Sequence, residues 1–159
     1  MTFMNFLLEN GGVVLAAFGI GLVVALPGIG SARGAAMIGE AATGLMVDGG
    51  EKFGKSLILQ LMAASQGLYG FVVAIMALGS VSLDMSLQQG LFVFAAVMPM
   101  AIVGYYSAIS QSEVATAGIS LLAKNEDEMT KAIIYSVMVE TYALLALVAS
   151  IILLNTVSF

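Results

Sequence analysis

Apolar positions along this chain gather into four long stretches, about 11–47, 53–80, 86–123 and 132–156, set apart by short polar segments. A bilayer core takes roughly 20 apolar residues as helix, so each stretch predicts a membrane-spanning helix. The first and third are longer than that and are expected to project beyond the hydrocarbon on one side. One residue breaks the pattern inside the fourth span: SVMVETYALLALVASIILL (136–154) carries Glu140 among residues otherwise suited to lipid. On lenient scales an ionised Glu at mid-bilayer costs at least ~2.5 kcal/mol, so its presence calls for a function and a partner.

The four stretches form two related pairs. A shift of 79 residues lays Gly11, Val14, Ala16, Ala17, Val24, Ser31, Ala36 and Gly39 on Gly90, Val93, Ala95, Ala96, Val103, Ser110, Ala115 and Gly118. Beyond the first turn the register becomes 76 and lays Lys55, Met62 and Leu68 on Lys131, Met138 and Leu144, with Ala64 opposite Glu140. The fold class expected is an all-α membrane protein of two duplicated parallel hairpins, 1–80 without an ion carboxylate and 81–159 carrying Glu140. All five basic residues (Arg33, Lys52, Lys55, Lys124, Lys131) flank the two hairpin turns, and the 2–3 connection around Asp84 has none. By the positive-inside rule both turns face the cytoplasm and both termini lie on the far side of the cell membrane.

Composition agrees and excludes much else. Hydrophobic residues make up 60% of the 159, charged ones 9%, and mean hydropathy is +1.05, far from a soluble domain. Cysteine and histidine are both absent, which removes disulfides, thiolate metal sites, imidazole ligation and the commonest general base. Nucleic acid is not an expected partner; lipid is. The opening MTFMNFLLENGG lacks a basic n-region and a small-residue cleavage site, so the first span is expected to serve as the insertion signal. Gly19, Gly21, Gly28, Gly30, Gly34 and Gly39 in the first span, and Ala95, Ala96, Gly104, Ala108, Ala115 and Gly118 in the third, suit closely approaching helices such as those of a ring's inner wall.

Counting from the turn lysines at ~1.5 Å per residue gives the depth of each polar side chain. Glu140 lies about 14 Å from Lys131, Ser65 and Gln66 about 15–17 Å from Lys55, and Gln111 about 20 Å from Lys124. Three spans thus place oxygen-bearing side chains in the layer of the carboxylate. Glu140, Gln66, Gln111 and Ser65, with a backbone carbonyl near Met62, form a hard-oxygen set holding one negative charge, which fits an alkali ion such as Na⁺. A proton carrier needs only the acid and an acceptor or two, and the surplus amides favour the metal cation. Tyr69, one turn beyond Ser65, is placed to donate to Glu140. Thr141 and Tyr142 are further neighbours, with Tyr142 on another face. The alternative for Gln66 and Gln111 is interhelical hydrogen bonding that serves packing.

Glu40 and Glu113 fall near the membrane surface, outside the layer, and KNEDEMTK (124–131) is expected to be a solvated turn. GGEKFGKS (49–56) matches the G-x-x-x-x-G-K-S phosphate-loop pattern. That loop requires a preceding β-strand to aim its amides at phosphate, and here it joins two apolar spans. A turn with basic anchors is expected instead.

LILQLMAASQGLYGF (57–71), SAISQSEVATAGI (107–119) and MVETYALL (138–145) resemble the three ion-site segments of the proteolipid rotor-ring subunit (subunit K) of V-type ATPases, in particular the bacterial sodium-pumping branch. The similarity extends over nearly the whole chain. It implies a ring of identical subunits, spans 1 and 3 inside and 2 and 4 outside, turning against a stator membrane subunit that supplies an Arg. It implies Na⁺ coordination by Glu140, Gln66, Gln111, Ser65 and the Met62 carbonyl, with Tyr69 supporting Glu140. ATP hydrolysis would lie in other subunits, met through a central rotor stalk at the cytoplasmic turns. Ser65 stands where Thr is familiar and keeps the hydroxyl. Ala63 and Ala64 stand where Pro-Gly is expected, which leaves the bend of the second span open. The rival readings are the same rotor proteolipid carrying H⁺, a four-helix drug/proton exchanger and a passive proteolipid pore. Exchangers place their Glu in the first helix of antiparallel pairs, whereas here it lies in the fourth and the repeats are parallel.

Overall fold

A computed structural model describes residues 2–156, and all regular structure among them is helical. Helix α1 runs Phe3–Leu45, α2 Phe53–Met62, α3 Ser65–Leu78, α4 Leu87–Lys124 and α5 Met129–Thr156, with three short 3₁₀ turns at Met46–Asp48, Gly50–Lys52 and Glu126–Glu128. Four stretches are long and apolar enough to cross a membrane: Glu9–Leu45, Gly50–Leu78, Leu87–Lys124 and Glu126–Thr156. The second comprises α2 and α3, so the second span, whose bend the sequence left open, is broken between Met62 and Ser65. The first begins earlier than the apolar pattern indicates, because Thr2 caps it by accepting the Asn5 N–H at 3.4 Å and the helix continues through Glu9 and Asn10. Ser86 and Gln89 form a reciprocal capping box that starts α4, with bonds of 3.3 and 2.7 Å.

The duplication shapes the packing. Helices α1 and α4 run side by side in the same direction, with α1 positions lying close to the region of their own repeat copies. Gly12 sits against Gly90, Gly30 against Tyr105 and Ala108, and Gly34 against Ser112. A Cβ on Gly90 would run into the Gly12 backbone, so this crossing needs the glycine pair. Pro27, fully buried in α1, lies between Gly70 of α3 and Gly104 of α4. Its missing N–H removes the usual partner of the Val23 carbonyl, and Gly70 backs onto that carbonyl. In α4 the Met100 N–H beside Pro99 donates to the buried Ser150 Oγ of α5 at 3.1 Å, a side-chain substitute of the kind that makes proline tolerable in a membrane helix.

Two apolar clusters result. At the end away from the hairpin turns, Val23, Val73, Val97 and Met100 pack together; at the turn end, Ile38, Leu59, Ala115 and Leu122 do so. A polar layer separates them. Large apolar side chains such as Phe18, Leu68, Phe71, Ile75, Leu145 and Ile152 point outward, as suits lipid or neighbouring copies. The chain is a multi-pass membrane protein.

At the turn end Lys55 pairs with Glu126 at 2.7 Å and Lys52 Nζ donates to the Ala123 carbonyl at 2.9 Å. The GGEKFGKS segment is thus a 3₁₀ turn leading into α2, with Gly49 at φ 138°, and no strand precedes it among the described residues. Its Lys55 is engaged with the other hairpin turn. Glu40 and Glu113 are exposed, as are most residues of 124–131.

Candidate ion-binding site

The site begins with the break in the second span. Ala63 and Ala64 take φ/ψ of −70/−12° and −86/−15°, close to the bridge region. The Ala64 N–H bonds the Leu61 carbonyl at 3.1 Å, three residues back instead of four. The bend therefore forms with two alanines in place of Pro-Gly. Met62 closes α2 and Ser65 opens α3, and Ser65 Oγ donates back across the break to the Met62 carbonyl at 3.0 Å.

From there a chain of hydrogen bonds runs to the carboxylate. Ser65 Oγ lies 3.3 Å from Gln66 Oε1. Gln66 Nε2 donates to Gln111 Oε1, and Gln111 Nε2 donates to Glu140 Oε2 at 3.1 Å. Tyr69 donates its hydroxyl to Glu140 Oε1 at 2.6 Å. Gln66 and Gln111 are fully buried, at 0% exposure, while Glu140 is half-buried on α5. The structure thus brings Met62, Ser65, Gln66, Gln111, Glu140 and Tyr69 into one continuous network from three spans. The oxygens of a carbonyl, a hydroxyl, an amide pair and a carboxylate follow one another along this chain of bonds, and both hydrogen-bond donors to Glu140 are neutral.

Thr141 and Tyr142 stay outside. Thr141 donates to the Met138 carbonyl at 2.7 Å. Tyr142 is 66% exposed and lines a groove of about 270 Å³ with Tyr106, Ser107 and Ser110.

The duplicated hairpin has counterparts among known proteins. The sequence model of the ATP synthase C-subunit matches twice, at residues 18–77 and 94–153. The chain belongs to the ATP synthase C-subunit family. The two matches stand 76 residues apart, the same register that relates the two outer spans, so each hairpin is one copy of the family unit. The V-type sodium ATPase subunit K of Enterococcus hirae is 47% identical over 151 residues, covering 94% of this chain and 97% of that protein. The A-type ATP synthase subunit K of Methanocaldococcus jannaschii is 35% identical over 150 residues, 89% of this chain and 62% of that longer protein.

Two residues at the site escape the depth count. Ser107, one turn before Gln111, lies 3.5 Å from Gln66 Nε2 and donates to the Val139 carbonyl at 3.2 Å. Its i, i+4 relation to Gln111 is the signal that could have found it. Ser31 of α1 accepts the Gly67 N–H at 2.9 Å. No ligand pattern marks it in the sequence, since it bonds to backbone.

Proposed function

We propose that the chain is the rotor-ring proteolipid subunit of a rotary ATPase and carries Na⁺ across the membrane on Glu140. The observation that carries the reading is the environment of Glu140: a carboxylate within a span, held by two neutral donors, with uncharged oxygens stacked behind it. Neutral donors orient the charge without cancelling it, and the cost of leaving it uncancelled in hydrocarbon remains. A small monovalent cation among Glu140, Gln111, Gln66, Ser65 and the Met62 carbonyl cancels it with hard oxygen ligands. No cluster of three or more Asp, Glu, His or Cys exists among the described residues, which disfavours a divalent ion. The sodium in the name of the Enterococcus relative supports the same choice.

In this mechanism Na⁺ is the cargo. It enters from one aqueous half-channel, cancels Glu140, and the uncharged site crosses the lipid-facing arc as the ring of identical subunits turns. An Arg of the stator subunit draws the carboxylate and frees the ion into the second half-channel. Each charge moved works against ~2.3 kcal/mol per 100 mV, so one ATP hydrolysed elsewhere in the complex can drive several. Hairpin 1–80 supplies Gln66, Ser65, Met62 and Tyr69 and hairpin 81–159 supplies Glu140 and Gln111. The turns face the cytoplasm and the rotor stalk, and the termini face away.

Carbodiimide labelling of Glu140 across pH, with and without Na⁺, tests this. Na⁺ protection at every pH where labelling occurs is the expected result. Labelling indifferent to Na⁺ would assign the same rotor role to H⁺.

A further inference from the structure

We propose that Ser31 is a positioning residue of the ion site, capping α3 from a neighbouring helix and so fixing the break that aims the ligands. A helix start leaves its first N–H groups without intrahelical partners, and a side-chain oxygen at the N-cap normally accepts from the second or third of them. Here the N-cap residue is Ala64, which makes no side-chain cap. The Ser65 hydroxyl is turned backward, to the Met62 carbonyl. The third residue of α3, Gly67, finds its acceptor in α1 instead: Ser31 Oγ at 2.9 Å.

The fit is close. Ser31 is 7% exposed, and a Cβ on Gly67 would stand 3.3 Å from Ser31 Oγ, so the absent side chain lets the hydroxyl reach the backbone. Water cannot substitute in a buried position at this depth, and an orphaned N–H is costly there. One turn along the same helix, the Ala35 carbonyl accepts from Gln60 Nε2 at 3.0 Å. Helix α1 therefore grips the second span on both sides of its break, by Gln60 in α2 and by Gly67 in α3. The Met62 carbonyl, Ser65 and Gln66 lie between these two grips.

The second repeat shows what happens without a break. Helix α5 is continuous over Met129–Thr156, and Ser110, the repeat copy of Ser31, is exposed. The buried hydroxyl is used only beside the broken span. Without it, the Gly67 N–H would be relieved by bonding the Ala63 carbonyl, which straightens the span and turns the Met62 carbonyl away.

The proposal rests on the Na⁺ reading above, and one experiment separates their failures. In assembled rings, the Na⁺ concentration that half-protects Glu140 from carbodiimide is measured, together with the Li⁺ to Na⁺ protection ratio. Ser31→Ala should raise the half-protecting Na⁺ concentration by about tenfold, the scale of a lost cap, and shift the Li⁺ to Na⁺ ratio. Ser31→Cys, similar in volume but a weak acceptor, should do the same, and Ser31→Thr should restore both readouts. Ser110→Ala should change neither. Should Ser31→Ala rings not assemble, Ser31→Cys decides by the same criterion. Half-protection in the Ala and Cys variants within about twofold of wild type would overturn the capping role while leaving the Na⁺ site standing. Wild-type rings that Na⁺ does not protect would overturn both.

Discussion

Replacing Gln111 with Met isolates the contribution of one amide to ion binding. Gln111 is fully buried, and Met has similar length and adapts to its surroundings, so packing is largely kept. Two interactions are lost: the 3.1 Å donation to Glu140 Oε2 and the acceptance from Gln66 Nε2. The first serves the carboxylate with or without a cation and so cancels in large part from the binding equilibrium. What does not cancel is the amide oxygen removed from the cation. Its interaction is comparable to a hydrogen bond involving a charged group, ~1.5–3 kcal/mol. That corresponds to roughly a 10- to 150-fold rise in the Na⁺ concentration needed to protect Glu140. The assay is carbodiimide protection in isolated rings shown to be intact by their size in detergent. Intact Gln111→Met rings protected by Na⁺ within about twofold of wild type would refute the role of Gln111 as a ligand.

The remaining predictions concern the scaffold. Gly70→Ala would push a Cβ onto the Val23 carbonyl and the Pro27 ring, an overpacking cost of about 1–3 kcal/mol; rings should dissociate at lower temperature, and unchanged dissociation would contradict the packing described. Ser150→Ala leaves the Met100 N–H beside Pro99 without its partner, a loss of ~1–3 kcal/mol, whereas Ser150→Thr keeps the acceptor; thermal dissociation of the two variants should differ accordingly. Lys55→Met removes an exposed ion pair worth less than about 1 kcal/mol and should leave Na⁺ transport in reconstituted complexes intact. Loss of transport with rings assembled would reopen the phosphate-loop reading of residues 49–56.

Much of this was legible in the chain because membrane physics writes it there. Span length, turn lysines and the 79- and 76-residue registers follow from hydrophobic thickness, insertion charge and duplication. Polar residues are rare enough in lipid that counting depth leads to Glu140, Gln66, Gln111 and Ser65 together. The break at Ala63–Ala64 was not legible in the residues at the break. Alanine is the strongest helix former, so local propensity points the other way; the break is accompanied by the Ser65 hydroxyl on the Met62 carbonyl and, from α1, by Ser31 on the Gly67 N–H. Ser31 was missed because it bonds a backbone N–H on another helix, which leaves no mark in sequence spacing; Ser107 also bonds a backbone group on another helix, and only its i, i+4 relation to Gln111 marks it. The early start of α1 escaped because a cap at Thr2 carries the helix through Glu9 and Asn10, where the apolar pattern stops.

The central claim is that a cation cancels the charge of Glu140 within this oxygen set. Equilibrium binding of radioactive sodium to purified rings, wild type beside Glu140→Gln, tests it most directly. Saturable uptake of one Na⁺ per chain, abolished by the substitution, is the predicted result; no uptake by wild type, or equal uptake by Glu140→Gln, would contradict it.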